Sequence, residues 1–332
     1  MSARPIQLPQ DFDLIQHLAV DSFQYPDNPE WSIQSDEMPS IQDMVDQYKK
    51  IWPLVKFASL FSYQVRNAMQ GFIWEEAGEP AGVVFLSSQN KDDWWISTLG
   101  VLPAFRRRGI ARKLLQHCID FFKAKQAKRA YLWVIAENFP ARSLYENNGF
   151  VHFSSDIVFE HPGCEIEEPI LPAGYVEIPL DRFDWKTRHA MATAITPPDV
   201  QKASPIQEKD FKTGFLMRLV APLMDKAEGI KPLGLLYRSA TTGEIAGRVE
   251  MLLRTRSGGK LHSQTRYVPG HEGLVNFLFQ KILSIAKTEN PGLRINVGLP
   301  AWQVTAVHAA QEAGFKIRME NCEMVLKLEN EE

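Results

Sequence analysis

Two hydrophobic periods alternate along this chain. Short apolar runs, typical of strands, are separated by longer stretches in which apolar residues recur every three or four positions, as in amphipathic helices. In the first half they predict a helix over about 14–23, a second helix from about residue 40, and a hairpin with strands 72–74 and 81–86. A third strand, 94–101, is mostly aromatic and β-branched. We expect these three strands to be antiparallel.

The third strand leads into a turn that carries three consecutive arginines and a glycine. The helix after it is predicted from an apolar stripe at a 3.6-residue period, formed by Ile110, Ala111, Leu114, Leu115, Cys118, Ile119 and Phe122. A helix start offers unpaired N–H groups and a partial positive charge, and Gly109 allows a close backbone approach. The turn is therefore suited to phosphate oxygens. Taken alone, it is equally compatible with a surface loop of solvated arginines.

The element order of the first half recurs near the end of the chain. In each copy a hairpin, a strand, a helix, another strand and a short helix lead to a Gly-Phe pair, Gly149-Phe150 and then Gly314-Phe315. This shared order indicates an internal repeat. The second copy is predicted to have strands over 233–237, 245–252, 261–267 and 293–297, and helices over 274–287 and 300–313.

A Pro- and Glu-containing stretch over 161–169 breaks the pattern and is interpreted as a linker. We therefore predict an α/β (α+β) fold with two tandem domains, 1–165 and 166–332. Each domain would be a mixed, mostly antiparallel twisted sheet flanked by helices. Segment 196–204 is predicted to be a loop, either a lid over a cleft or an ordinary surface loop, and we favour the surface loop.

Composition narrows the class of protein. The chain has 332 residues, 45% of them hydrophobic and 23% charged, as in globular proteins. Its net charge of -3 argues against a general nucleic-acid binder. Its three cysteines lie too far apart for a close-spaced zinc motif or a disulfide framework, and no metal site is indicated. No stretch approaches the roughly 20 apolar residues that span a bilayer. We expect a cytoplasmic protein without a membrane or nucleic-acid partner.

Two motifs carry a family resemblance. The turn Arg106-Arg107-Arg108-Gly109-Ile110-Ala111 resembles the Gln/Arg-x-x-Gly-x-Gly/Ala pyrophosphate motif of the GNAT superfamily of N-acetyltransferases. The family's second signature, correctly spaced from the first, is matched by Asn138, Ala141, Leu144-Tyr145 and Gly149-Phe150. Together the motifs are far more specific than either alone. The first domain thus resembles a GNAT domain with an intact acyl-CoA-binding motif.

The resemblance implies acetyl-CoA, or another acyl-CoA, as the acyl donor. Backbone amides of residues 106–111 would hold the pyrophosphate, with charge-assisted bonds from Arg106, Arg107, Arg108 and Arg112. In the family the fourth strand splays from the fifth and the pantetheine arm inserts between them. Here that strand ends Leu99-Gly100-Val101, Gly100 suits a bulge, and an amide near Val101 would polarise the thioester carbonyl.

Two further residues take family roles, each with a structural alternative. Tyr145 would protonate the leaving thiolate as general acid, although a core tyrosine with a bonded hydroxyl is the competing interpretation. Asn138 would contact the CoA arm or serve only as a helix cap.

The general base is not identified by the sequence. Many family members place a carboxylate on the fourth strand, where this chain has Trp95, Ile96 and Ser97. We expect the nearby Asp92, Asp93 and Glu137 to be solvated surface carboxylates. A water relayed through Ser97 is an alternative.

The second half lacks the residues of the acyl-CoA site. In place of the arginine turn it has residues 267–273, where Glu272 would repel a phosphate, and Ala310 corresponds to Tyr145. We expect a degenerate copy that completes the sheet, forms part of the acceptor pocket, or mediates homodimerisation. The leading hypothesis is an N-acetyltransferase acting on a primary amine, of a small molecule or of a protein or peptide, by direct attack in a ternary complex. A catalytically silent CoA-binding or interaction module is the alternative.

Overall fold

The computed structural model describes residues 2–33, 38–256 and 259–328. The chain forms two compact units that are not contiguous in sequence. The first unit contains residues 1–153, 214–228 and 323–332, and the second contains 154–213 and 229–322. Helices and a mostly antiparallel set of strands confirm the α/β (α+β) class. The predicted domain boundary at 165 stays a prediction, because the units exchange segments.

The first unit carries most of the elements predicted for the first half. They are β1 (Ser2–Pro5), α1 (Phe12–Ser22), α2 (Met38–Ser59), α3 (Tyr63–Arg66), β2 (Gln70–Glu76), β3 (Glu79–Ser87), β4 (Asp93–Val101), α4 (Ile110–Ala124), β5 (Arg129–Ile135), α5 (Phe139–Glu146) and the start of β6 (Val151–His161). Strands β1 to β5 are neighbours in chain order, antiparallel except for the parallel pair β4 and β5.

The sheet of the first unit has a helix packed on each face. Helix α4 buries its predicted stripe against one face, with Leu114, Leu115 and Phe122 fully buried. On the other face α1 and α2 form a core with Ile73 and Val83. These opposite packings follow from the strand alternation, since successive side chains point to opposite faces.

The remaining elements, from β7 to β12, lie mainly in the second unit. They are β7 (Tyr175–Pro179), α6 (Trp185–Ile195), α7 (Pro198–Ala203), α8 (Glu208–Phe211), α9 (Phe215–Glu228), β8 (Ile230–Ser239), β9 (Ile245–Arg254), β10 (Leu261–Tyr267), α10 (Val275–Glu289), β11 (Ile295–Pro300), α11 (Val304–Glu312) and β12 (Lys316–Lys327). Of these, α9 and residues 323–327 of β12 belong to the first unit.

The second unit repeats the strand pattern of the first. Strands β8, β9 and β10 are successive antiparallel neighbours, and β10 pairs in parallel with β11. This is the arrangement of β2, β3, β4 and β5. Helix α10 packs against β9 and β10, as α4 does against β3 and β4. The predicted internal repeat therefore exists as a repeat of topology.

Two local expectations were wrong, the bulge at Gly100 and the loop over 196–204. The bulge in β4 lies at Ser97, because Phe85 pairs with Thr98 while Leu86 pairs with Ile96. Gly100 pairs regularly with β3. A glycine is needed there because a Cβ would lie 2.6 Å from the Cβ of Ser22 in α1. Segment 196–204 is largely the helix α7, with a proline in its first turn, rather than a loop.

Helix α9 lies late in the sequence but packs on the first unit. Its Glu228 carboxylate accepts a hydrogen bond from the Tyr48 hydroxyl of α2 at 2.5 Å. Nearby, the Gly214 amide donates to Gln64 at 2.9 Å. No helix in the described part of the chain is long and apolar enough to cross a membrane.

Candidate functional site

Strands β4 and β5 separate at the centre of the first unit. Their parallel pairing runs from Asp93 opposite Arg129 to Ile96 opposite Leu132, and residues 97–101 continue without a described partner on β5. The bulge at Ser97 lies where the pairing stops. Unpaired backbone of this kind can accept an extended ligand as an added strand. The splay expected from the family resemblance is thus present beside Leu99 and Val101.

The arginine turn follows directly from the splayed end of β4. A short 3-10 helix over Pro103–Phe105 leads to Arg107 and Gly109, which both have positive φ, 62° and 76°. Gly109 is the N-cap of α4, and a Cβ built there meets nothing within 4 Å. Successive amides around left-handed residues form a concave anion site.

The amides of this turn are available to a ligand. Among the described hydrogen bonds, the N–H groups of residues 107–112 donate to no backbone acceptor, and the first α4 bond to a residue of the turn runs from Lys113 to the Gly109 carbonyl at 3.1 Å. Orphan N–H groups at a helix start are the ordinary partners of phosphate oxygens. Ile110 and Ala111 supply two of them, and Ile110 also buries its side chain under the turn.

The four arginines are all exposed but differ in what they contact. Arg106 links the end of β4 to the end of α1, since its guanidinium donates hydrogen bonds to the carbonyls of Val101 at 3.2 Å and Ser22 at 3.1 Å. Arg108 donates to the Ala104 carbonyl at 3.0 Å. Arg107 and Arg112 have no partner among the described residues. The sequence alone provides no reason to distinguish the four arginines. In the structure, the guanidinium groups of Arg107 and Arg112 are available to bind a phosphate.

Tyr145 of α5 is 7% exposed, and its ring contacts Phe150 at a centroid distance of 5.9 Å. Its hydroxyl has no hydrogen-bond partner among the described residues. Tyr145 is thus a core residue whose hydroxyl lacks the bond that the competing interpretation requires, and its role as general acid stays a prediction. Burial, and to a smaller extent the neighbouring Tyr25 and Cys118, raise the pKa of Tyr145 above its usual range. The phenol is thus protonated at neutral pH.

Tyr25 is a residue that sequence reasoning missed. It lies in the loop after α1. The Arg106 guanidinium lies 5.7 Å from its ring centroid, and its own electrostatic influence reaches Tyr145. Burial raises the pKa of Tyr25 while Arg106 opposes that rise. A tyrosine within a Pro-rich loop has no sequence signal that would place it beside a turn some 80 residues away.

Asn138 fulfils the role of helix cap. Its side-chain oxygen accepts a hydrogen bond from the Ala141 amide at 3.2 Å, at the start of α5. The cap fixes where α5 begins and hence where Tyr145 lies. The cap uses the side-chain oxygen, and the family's contact from Asn138 to the CoA arm stays a prediction.

Two of the three carboxylates considered as general bases lie beside cationic side chains, and the third is exposed. Asp93 is only 7% exposed and accepts from the Arg129 Nε at 2.7 Å, so it is not the solvated carboxylate that was expected. Asp92 lies 3.6 Å from the Lys128 ammonium. Glu137 is exposed after β5. None of these contacts identifies a base. The Ser97 hydroxyl at the bulge lies 3.2 Å from that of Ser87.

An aromatic surface lies beside the splay. Trp95 of β4 stacks on Tyr131 and Trp133 of β5, at centroid distances of 4.9 and 4.4 Å. Trp133 is 50% exposed, and its indole N–H donates to Glu323 at 3.0 Å. By contrast Trp94 is fully buried against α4. The alternation of the strand thus divides adjacent tryptophans between the core and an accessible face.

The equivalent turn of the second unit is closed to phosphate. Glu272 accepts a hydrogen bond from the Gly270 amide at 3.0 Å, and this bond lowers the pKa of the Glu272 carboxyl. The Glu272 carboxylate of this turn therefore occupies an amide to which a phosphate would otherwise bind. Ala310, at the position corresponding to Tyr145, is fully buried and has no ionisable group. The described residues contain no group of three or more potential metal ligands.

Comparisons with known proteins agree with this geometry. Residues 38–150 match the Acetyltransferase (GNAT) family. A mycothiol acetyltransferase of Acidothermus cellulolyticus is 32% identical over 97 residues, which is 28% of this chain and 30% of that relative. A ribosomal protein bS18-alanine N-acetyltransferase of Salmonella typhimurium is 39% identical over 59 residues, 18% of this chain and 40% of that relative. The chain thus spans less than half the length of either relative.

The fold of the whole chain is also found in a solved structure. A tandem GNAT protein from the clavulanic acid biosynthesis pathway aligns over 100% of this chain and 99% of its own, with a TM-score of 0.64 and 15% identity. Within the first half of the chain, residues 38–150 thus match the GNAT acetyltransferase family. The chain as a whole has the tandem GNAT fold, as the sequence predicted. Both relatives are named as acetyltransferases.

Proposed function

We propose that the protein transfers an acetyl group from acetyl-CoA to a primary amine by direct attack in a ternary complex. The observation that carries this proposal is the combination, in one unit, of splayed strands, a turn with unused amides, and a tyrosine with an unbonded hydroxyl. Each feature has a separate structural explanation, but an acyl-CoA donor needs all three. The second unit carries a closed turn and Ala310, so we assign the chemistry to the first unit alone.

Turn residues 107–111 would bind the pyrophosphate through their unused amides, and Arg107 and Arg112 would add charge-assisted bonds, whereas the Arg106 amide already donates to the Pro103 carbonyl at 3.3 Å. The open space around Gly109 supports this assignment, because the ligand would approach the backbone there. The pantetheine arm would then extend along Leu99 and Val101, beyond the last pair between β4 and β5. An amide near Val101 would face the thioester carbonyl and stabilise the oxyanion.

In the chemical step the amine nitrogen attacks the carbonyl carbon, the C–S bond breaks, and the sulfur leaves as a thiolate. A free alkylamine has a pKa near 10.4, so it must lose a proton to solvent water before it attacks, and the nitrogen loses a second proton to water as the amide forms. Tyr145 would donate to the departing sulfur. Because its pKa is raised while a thiol has a pKa of about 8.5, full proton transfer is uphill. We infer that the hydrogen bond to the developing thiolate, rather than complete transfer, is its main contribution.

The acceptor would enter over the aromatic surface of Trp95, Tyr131 and Trp133. Such a surface favours an amine-bearing group that is apolar, flat or cationic. The bS18-alanine N-acetyltransferase relative supports a protein or peptide amine as one acceptor class. A small-molecule amine is the other, and both stay within the same chemistry.

The direct experiment measures free CoA released from acetyl-CoA in the presence of an amine panel, with mass spectrometry of the acylated products. We expect at least one primary amine to be acetylated and Tyr145→Phe to lower turnover. The alternative function, a CoA-binding module without catalysis, predicts acetyl-CoA binding and no acylation across the panel. That second outcome would remove the enzyme assignment and leave the binding site intact.

A further inference from the structure

The second unit contains a cavity that the acyl-transfer proposal does not use. Its volume is about 500 Å³, within the range of small-molecule sites. The strands β8, β9 and β10 form its floor, and Arg188 of α6 and Phe211 of α8 lie on its other side. All of the residues around it belong to the second unit.

The charge of this cavity comes from alternate positions of β9. Arg248 and Glu250 point to the cavity, while Val249 and Leu253 point to the core that α10 covers. The sequence Arg-x-Glu on a strand therefore places two opposite charges on one face. The third charge, Arg188, comes from α6.

The three charged side chains bond to one another, but their charges do not cancel. Glu250 Oε2 lies 2.7 Å from the Arg248 guanidinium, and Glu250 Oε1 accepts from Arg188. Two guanidinium groups and one carboxylate leave one net positive charge. The side chains of Arg188 and Arg248 are only 16% and 17% exposed.

Several of the guanidinium donors are unused. Arg188 reaches one further acceptor, the Asp181 carbonyl at 3.4 Å, and Arg248 reaches none among the described residues. The Nε atoms of both arginines are buried without a hydrogen-bond partner in the part of the chain that the structure describes. A buried, incompletely bonded cation is unfavourable unless an anion or another acceptor joins it. The cluster therefore has the electrostatics of a receiving site rather than of a closed ion pair.

We propose that this cavity binds a monocarboxylate with a short apolar body. The planar guanidinium fork of Arg248 matches a carboxylate, and Leu233 and Phe211 offer apolar contact to the rest of the ligand. A single negative charge balances the cluster, whereas a dianionic phosphate would exceed that charge and lie close to the Glu250 carboxylate. The exposed Arg182 at the rim adds positive potential that attracts an anion to the opening.

The test is isothermal titration calorimetry of the full chain with isocaproate, with its neutral amide isocaproamide, and with inorganic phosphate. We expect saturable binding of isocaproate and at least about tenfold weaker binding of the amide, because the amide lacks the charge that pairs with the arginines. Arg248→Met should weaken isocaproate binding by about tenfold or more. Arg238→Met, on β8 and outside the cavity, is the matched control and should leave it unchanged.

The Glu250→Gln variant distinguishes a direct effect on ligand binding from damage to the fold. Removing the competing carboxylate should strengthen isocaproate binding, the opposite sign to that of a damaged cavity. Circular dichroism of each variant checks the fold. The proposal is overturned by any of four results: no binding of isocaproate, equal affinity for acid and amide, tighter binding of phosphate, or weaker binding by a folded Glu250→Gln variant.

Discussion

Replacing Gly109 by aspartate and by asparagine separates charge from backbone geometry at the arginine turn. Gly109 has a φ of 76°, and a Cβ there meets nothing within 4 Å, so both side chains fit. Asparagine and aspartate have nearly the same size and tolerate the left-handed region better than other residues. Each variant should therefore lose about 1 kcal/mol of stability relative to glycine. They differ only in the charge presented to a pyrophosphate.

That charge has a calculable effect. At a separation of about 5 Å and an effective dielectric constant of about 20, one carboxylate and one phosphate charge repel by about 3 kcal/mol. The turn is exposed, so solvent screening reduces this figure, and we expect acetyl-CoA to bind about 10 to 100 times more weakly to Gly109→Asp than to Gly109→Asn. The difference should shrink as salt is raised, because screening acts on the charge alone.

Calorimetric titration with acetyl-CoA at two salt concentrations measures both effects. Acetyl-pantetheine, which lacks the pyrophosphate, is the ligand control and should bind the two variants equally. Equal acetyl-CoA affinities for Gly109→Asp and Gly109→Asn would refute the assignment of this turn to the pyrophosphate. So would a difference that does not depend on salt.

Three further perturbations test other parts of the first unit. Tyr145→Phe should lower turnover by about 10² or more while the melting temperature and acetyl-CoA affinity stay constant, since the hydroxyl has no hydrogen-bond partner among the residues that the structure describes; unchanged turnover would exclude this tyrosine. Gly100→Ala should lower stability by about 1–3 kcal/mol in chemical denaturation, because the added methyl would lie 2.6 Å from the Ser22 Cβ; wild-type stability would contradict the contact. The Arg4 guanidinium holds the pKa of Asp11 below its usual range, so this pair stabilises the fold above the unfolded pKa of about 3.9 and loses that contribution as pH falls through the lower folded value. Asp11→Asn should accordingly flatten the acid limb of stability against pH, and an unchanged limb would argue against the pair.

The strongly periodic elements were predictable because their signal is local. The stripe of α4 recurs at a fixed spacing and the segment 81–86 is a short apolar run, and the structure has helix Ile110–Ala124 and strand Glu79–Ser87 at those places. Where the local signal was weak, the prediction was incomplete. Strand β7 and helix α9 were not identified, and segment 196–204 was given as a loop although α7 forms there.

The candidate site was predictable as motifs but not as contacts. The turn 106–111 and Tyr145 were found from residue types at fixed spacing. The roles of individual arginines were not, because Arg106 is bonded to Val101 and Ser22 by contacts that only the folded chain creates. Asp93 was misjudged for the same reason, since its partner Arg129 is 36 residues away.

The sequence by itself determined the repeat, the class of fold and the turn that suits a phosphate, because periodicity and short motifs act over a few neighbouring residues. Tertiary structure decided which charges are paired, where β4 and β5 separate, and that α9 packs on the first unit. It also assembled Arg188, Arg248 and Glu250 around one cavity from a helix and a strand about 60 residues apart. Such contacts join distant parts of the chain, and their energies depend on burial and distance, which no local pattern records.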